Sequence, residues 1–182
     1  MKSLSYLNKY FIKYKWRMLL GVLFIVCSNY FGVKMPLFVK DTVDELMGNQ
    51  TITSFDSAIS LSLKIGLIYM LLSLGKGFFL FLTRQTIIIT SRFIEFDLKN
   101  EIYDQYQKLN FNFYKKNNTG DLMNRISEDV SQVRMYLGPG IMYTINLAAL
   151  FTMVITEMIA IDLKLTFFVL LPLPIMLSLI HI

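Results

Sequence analysis

Nearly charge-free stretches of membrane-spanning length alternate along this chain with basic ones, and this alternation constrains the fold more than any motif. The first apolar stretch runs from about Met18 to Val39 and is interrupted late by Lys34. The second is Ile59 to Leu82, with Lys64 and Lys76 near its two ends. The third, Tyr136 to Thr156, carries no charge, and the fourth starts at Leu165 and runs to Ile182. A bilayer core of about 30 Å takes roughly 20 residues of helix to cross. Lipid offers backbone groups no hydrogen-bond partner, so each span is expected to be helical. The expected fold class is an all-α integral membrane protein. Composition agrees: 17% of the 182 residues are charged and 54% are apolar, whereas soluble domains carry about 25% charged residues.

The N-terminal segment, residues 1–17, does not read as a cleaved secretory signal. It is long, contains Tyr6, Tyr10, Phe11 and Trp16, and no small-residue cleavage site follows the apolar run. Its lysines and aromatics suit an interfacial helix leading into the first span. The single cysteine, Cys27, lies inside that span, which excludes a disulfide framework and a thiol metal site. Packing is its expected role.

Lysine and arginine are unevenly distributed. Residues 1–17 hold five (Lys2, Lys9, Lys13, Lys15, Arg17), and residues 84–135 hold eight. Of the two remaining loops, the first has Lys40 among Asp41, Asp44, Glu45 and Asp56, and the second has Lys164. The positive-inside bias predicts a cytoplasmic N-terminus and a cytoplasmic loop 84–135, within a multi-pass protein of the cell membrane. The net charge of +5 follows from this bias. It calls for no nucleic acid, since no basic stripe with stacking aromatics accompanies it.

The long loop has a pattern of its own. Leu98, Ile102, Tyr106 and Leu109 fall at helical spacing, which predicts that the second span continues out of the membrane without a break. Taken from Ile59 to Leu109, such a helix is roughly 75 Å long. On the return side, Leu122, Ile126, Val130, Val133 and Leu137 repeat the pattern into the third span. Two such stripes on antiparallel helices can bury each other, forming a stalk. At its tip, NFNFYKKNNTG breaks the helix between Asn110 and Gly120. Thr119 is expected to cap the return helix, with Asp121 near the positive end of its dipole. Phe111, Phe113 and Tyr114 crowd the turn. Aromatics there either meet a partner or fold back on the stalk's own helices.

These residues resemble a known family. FYKKNNTGDLMNRISEDVSQVR, Phe113–Arg134, resembles the first intracellular loop of ABC exporter membrane domains. The matching elements are Phe113, Tyr114, Thr119, Gly120, Asp121, Leu122, Arg125, Asp129 and Val130. DLKLTFFVLLPLPIM, Asp162–Met176, is similar to the start of that family's fourth span, and MPLFVKDTVDEL, Met35–Leu46, to the end of its first. The closest likeness is to bacterial multidrug-type half-transporters. The resemblance implies the first four spans of a six-span membrane domain, followed by a cytosolic nucleotide-binding domain that uses ATP and Mg. It also implies a second half-transporter, giving a homo- or heterodimer. The segment Phe111–Asn118 would be the coupling helix. Phe111, Phe113, Tyr114, Lys115, Thr119, Gly120 and Asp121 would be the residues meeting the nucleotide-binding domain. The implied activity is export of a hydrophobic or amphipathic substrate by alternating access. The alternative is a membrane scaffold or receptor that docks a cytosolic partner through the aromatic tip.

The chain has no G-x-x-x-x-G-K-[ST] loop, so this stretch is not expected to hydrolyse ATP. Gly66, Gly75 and Gly77 read as close helix packing. Lys64 and Lys76 are expected to snorkel from the ends of the second span, or else to meet substrate or a counter-ion. Asn29 and Asn146 lie deep enough to hydrogen bond within the bundle or to line a polar path. Glu157 is either an outer-gate charge or a solvated helix end. Pro172 and Pro174 should bend the fourth span. LSLIHI, Leu177–Ile182, can be encoded by CTG TCT CTT ATA CAC ATC, a transposase sequencing-adapter end. The expectation is that native sequence stops near Met176, leaving the lone His181 without a role.

Overall fold

The protein is seen in a computed structural model that describes residues 2–48 and 55–180. Residues 49–54, His181 and Ile182 lie outside the described residues, including the end of the expected fourth span and the end of LSLIHI. Among the described residues there is helix and no strand. Helix α1 is Lys2–Lys13, α2 is Lys15–Gly48 and α3 is Phe55–Lys108. The expected continuous second helix is therefore present, 54 residues long. Short helices α4 (Phe111–Lys116) and α5 (Thr119–Asn124) make the turn. The return path continues through α6 (Val130–Met135) into α7 (Ile141–Ile161), then α8 (Leu163–Leu170) and α9 (Pro172–Ile180). Three of these helical stretches are long and apolar enough to cross a membrane: Lys15–Asp44, Ile59–Lys108 and Thr119–Ile161.

The return stretch contains two π-helical turns, Arg125–Asp129 and Tyr136–Gly140. The second has a local cause. Pro139 has no N–H to offer Met135, and the Ile141 N–H bonds back to Tyr136, five residues earlier. Asp162 ends α7 and caps α8, its carboxylate accepting from the backbone N–H groups of Lys164 at 2.7 Å and Leu165 at 3.1 Å. The break between α8 and α9 falls at Leu171, directly before Pro172, as the prolines predict.

The chain divides into two compact units. One comprises Met1–Ser28 and Gly75–Asn146. Its core is built from Tyr10, Ile94, Leu98, Val130 and Leu137, with Leu7, Phe11, Ile102 and Val133 packed around them. Both predicted stalk stripes therefore face inward. Leu98, Leu122, Val130 and Leu137 are buried, and Ile102, Tyr106, Leu109, Ile126 and Val133 are half-buried. Each fully buried aliphatic side chain is worth about 1.5–3 kcal/mol. The sequence reading missed a third contributor, since α1 adds Leu7, Tyr10 and Phe11 to this core.

Close helix approach in this unit falls on glycines other than the expected ones. A Cβ on Gly21 would run into the Ile87 side chain, and one on Gly138 would sit 2.5 Å from Ser91 Oγ. A Cβ on Gly66 or Gly77 would meet nothing within 4 Å in this chain. The polar residues buried in α3 are satisfied by their own helix. Thr83 donates to the Phe79 carbonyl at 2.9 Å, Thr90 to Thr86 at 2.6 Å and Ser91 to Ile88 at 2.7 Å.

The other unit comprises Asn29–Leu74 and Leu147–Ile182. Here Lys34 of α2 pairs with Glu157 of α7 at 3.2 Å. Glu157 is thus not simply a solvated helix end. The pair borders a cavity of about 180 Å³, lined also by Tyr30, Val33, Thr152 and Met153.

Candidate functional site

The turn between the stalk helices is a small, capped knob. Asn110 is the N-cap of α4, its side-chain oxygen accepting from the Phe113 N–H at 3.2 Å. At the other end, the Asn117 backbone N–H and side-chain amide both donate to the Phe113 carbonyl, at 3.0 and 2.9 Å. Six residues thus form a closed turn. Such a short helix is marginal alone, and here both ends are tied.

Two tyrosines attach the knob to its supports. The Tyr114 hydroxyl donates to the Tyr106 carbonyl at 2.5 Å, and the Tyr106 hydroxyl donates to the Leu122 carbonyl at 3.0 Å. Helices α4, α3 and α5 are therefore linked in series. The sequence reading placed Tyr106 in the apolar stripe and missed this role. Phe113 and Tyr114 meet edge to face, 5.6 Å between ring centroids, and both are half-buried. Phe111 points the other way. It is 72% exposed, with the Lys115 ammonium 5.0 Å from its ring centroid. The aromatic trio divides accordingly: two rings fold back on the stalk and one faces outward.

The remaining predicted residues line one exposed edge. Thr119 and Gly120 are exposed, and a Cβ on Gly120 would meet nothing within 4 Å. Asp121 lies in the first turn of α5, as expected, and pairs with Arg125 at 3.0 Å. The cap expectation is corrected. Asn118 is the N-cap of α5 and Thr119 is already helical, because the chain leaves the extended conformation one residue earlier than the Thr-Gly-Asp pattern suggests. Asn29 is buried on α2, and Asn146 is half-buried on α7.

The sequence reading also missed a clasp at the base of the stalk. Tyr6 and Tyr10 both donate to the Glu101 carboxylate, Tyr10 at 2.5 Å, and Lys9 lies 3.3 Å from it. One turn along, Lys13 reaches Asp97 at 2.6 Å and Tyr14 donates to the same oxygen at 3.0 Å. Glu101 lies beyond the apolar stretch of α3. The two phenol hydrogens, helped by Lys9, hold its carboxyl down at about 2. Burial first, and then Glu101, push the Tyr10 phenol well above its usual range. The hydrogen bond to Asp97 raises Lys13. The spacing was visible in the sequence: Tyr6, Tyr10 and Tyr14 recur every four residues, as do Asp97 and Glu101.

The apolar helix thus runs unbroken into a stalk that carries a capped aromatic knob. Residues 18–182 match the family described as ABC transporter transmembrane region, and the chain belongs to that family. Among its curated relatives are proteins of Staphylococcus aureus strains NCTC 8325, RF122 and COL, with names of the multidrug export ATP-binding/permease type. Each is 27% identical over 135 residues, a region covering 72% of this chain and 23% of the relative. The chain thus spans about a quarter of the length of these relatives.

Proposed function

We propose that this chain is the leading part of the membrane domain of an ATP-driven exporter, which moves a hydrophobic or amphipathic substrate out of the cytoplasm by alternating access. The observation that carries this reading is the knob α4, with Phe111 exposed at its surface and Tyr114 bound to Tyr106 behind it. An exposed aromatic beside a lysine suits a protein partner. The tyrosine series gives displacement of that partner a path into both stalk helices. The partner is a nucleotide-binding domain that binds ATP and Mg in the full-length protein. Phe111, Phe113, Tyr114, Lys115, Thr119, Gly120 and Asp121 form the contact region, and a second half-transporter completes the pathway. The names of the relatives, with their ATP-binding and permease parts, support this assignment. The lysine and arginine distribution supports a cytoplasmic knob and N-terminus in the cell membrane. Asn29 and Asn146 are the candidates for the pathway wall.

The test uses the full-length protein carrying this chain. Tyr114→Phe removes one hydroxyl and keeps the ring. It should lower coupled transport about fivefold, the equivalent of a hydrogen bond of about 1 kcal/mol, with ATP binding unchanged. In parallel, Phe111→Cys should cross-link to a cysteine placed on the ATPase domain. Undiminished transport in Tyr114→Phe overturns the coupling role, and cross-linking only to some other cytosolic protein favours a docking scaffold.

A further inference from the structure

Where α1 passes into the first apolar run, a cavity of about 470 Å³ is lined by Lys13, Tyr14, Trp16, Arg17 and Phe93. Its position in the sequence fixes its surroundings, because the charge-free stretch begins at the next residue, Met18. Arginine and aromatic side chains at such a boundary sit at headgroup level. Two cations, Lys13 and Arg17, line the cavity, and one of them is held by a carboxylate. Asp97 takes Lys13 at 2.6 Å and also accepts from Tyr14. Arg17 has no carboxylate partner among the described residues. Its guanidinium lies over the Phe93 ring, 5.0 Å from the centroid, which leaves its outer N–H groups available. One positive charge is therefore uncompensated. Trp16 is 72% exposed beside it, and its ring with that of Phe93 supplies an apolar wall.

We propose that this cavity binds the headgroup of a monoanionic phospholipid. The Arg17 guanidinium would hold the phosphodiester, and Trp16 and Phe93 would flank the glycerol and the first acyl methylenes. Charge selects the occupant. A monoanionic phosphodiester neutralises Arg17, the lining cation without a carboxylate partner among the described residues, whereas a zwitterionic lipid brings its own compensating ammonium. Arginine also offers paired donors to two phosphate oxygens. The site rests on the interfacial placement of Arg17 and is independent of the transport reading.

Trp16 is the built-in reporter, read as the fluorescence difference between the full-length protein and its Trp16→Phe variant. The protein is reconstituted in vesicles of phosphatidylcholine containing either dibrominated phosphatidylglycerol or dibrominated phosphatidylcholine. Quenching should show about fivefold preference for the anionic lipid, as expected for about 1 kcal/mol per interfacial arginine. Arg17→Gln should bring the preference to unity. Arg92→Gln, which removes a neighbouring charge outside the cavity wall, should leave it intact. Equal quenching by both lipids in the parent overturns the proposal, as does a preference that survives Arg17→Gln. Equal loss in Arg92→Gln shows a diffuse basic surface in place of a site. Relief of the anionic quenching by inorganic phosphate shows an anion pocket that does not require lipid, and also overturns it.

Discussion

The Ser28 hydroxyl donates to the carbonyl oxygen of Lys76 at 3.2 Å. This bond, with Phe24 against Phe79 and Gly21 against Ile87, sets the antiparallel register of α2 on α3. Ser28 is the eleventh residue of the 22-residue run Met18–Val39. Lys76 is therefore level with the middle of the first span. The expectation that it sits at the end of its own span is corrected by this register, which carries α3 past Arg84 to the apolar Ile87, Ile88 and Ile89 alongside the first half of that run. Its side chain is exposed, and no described carboxylate pairs with it. A lysine at mid-depth is too far from either interface to snorkel readily, and an intramembrane charge of this kind marks a functional position by default.

The depth difference between the two lysines is measurable. A central lysine costs about 2.5–3.5 kcal/mol in membrane insertion, and one near an interface costs much less. In a glycosylation-based insertion assay of the α3 segment, Lys76→Leu should raise the inserted fraction far more than Lys64→Leu. Equal gains would place the two at equal depth and contradict the Ser28–Lys76 register.

The clasp on Glu101 predicts a specific acid response. Its carboxyl titrates at about 2 in the folded protein, against an ordinary 4.5. A depressed carboxyl contributes stability that is present above the ordinary value and is lost as pH falls through the folded one. The protection of the α1 amides, taken relative to intrinsic exchange at each pH, should therefore fall as pH drops from about 4.5 to about 2. In Glu101→Gln this part of the pH dependence should be absent, and protection should already be reduced at neutral pH. The raised phenols of Tyr6 and Tyr10 act at the opposite end: their contribution is present below 10.0 and is lost as pH rises through their folded values. If α1 exchanges alike in parent and Glu101→Gln at every pH, the clasp does not hold it.

Gly138 carries a packing prediction that the sequence did not. An added Cβ would lie 2.5 Å from Ser91 Oγ and 2.8 Å from Ser91 Cβ, so Gly138→Ala must displace a buried serine. The expected cost is about 1–3 kcal/mol, seen as a lower thermal midpoint. Ser91→Gly in the same protein should recover most of it. Gly66→Ala, which meets open space in this chain, is the comparison and should be close to neutral.

These cases show what was legible in the sequence and what was not. Apolar periodicity placed Leu98, Val130 and Leu137 on buried faces, because burial follows the helical repeat. The same repeat is nearly unchanged when one helix slides a turn along another, so it could not set register. Everything that depends on register was therefore hidden: the depth of Lys76, the close approach at Gly21 and Gly138, and the Lys34–Glu157 pair. The stalk tip was half legible. Its aromatic content marked it, but only the hydroxyl bonds of Tyr106 and Tyr114 show which rings turn inward. The tyrosine and carboxylate spacings that make the clasp were present in the sequence, on segments more than 80 residues apart, with nothing to pair them.

Lys34 and Glu157 provide the final prediction. They lie 3.2 Å apart, with side chains 41% and 35% exposed, and Lys34 also sits 5.7 Å from the Tyr30 ring centroid. In water a pair this exposed contributes about 1 kcal/mol at most. Within an apolar run, breaking it leaves a charge whose solvation is poor, so each single neutralisation should cost more than the pair contributes. Lys34→Met and Glu157→Gln should each lower the thermal midpoint of the membrane-embedded protein. The double variant should lose less than the sum of the two, and the swap Lys34→Glu with Glu157→Lys should come close to the parent. Additive losses, with no recovery in the swap, would mean that the two charges are held by separate partners and that α2 and α7 are not joined here.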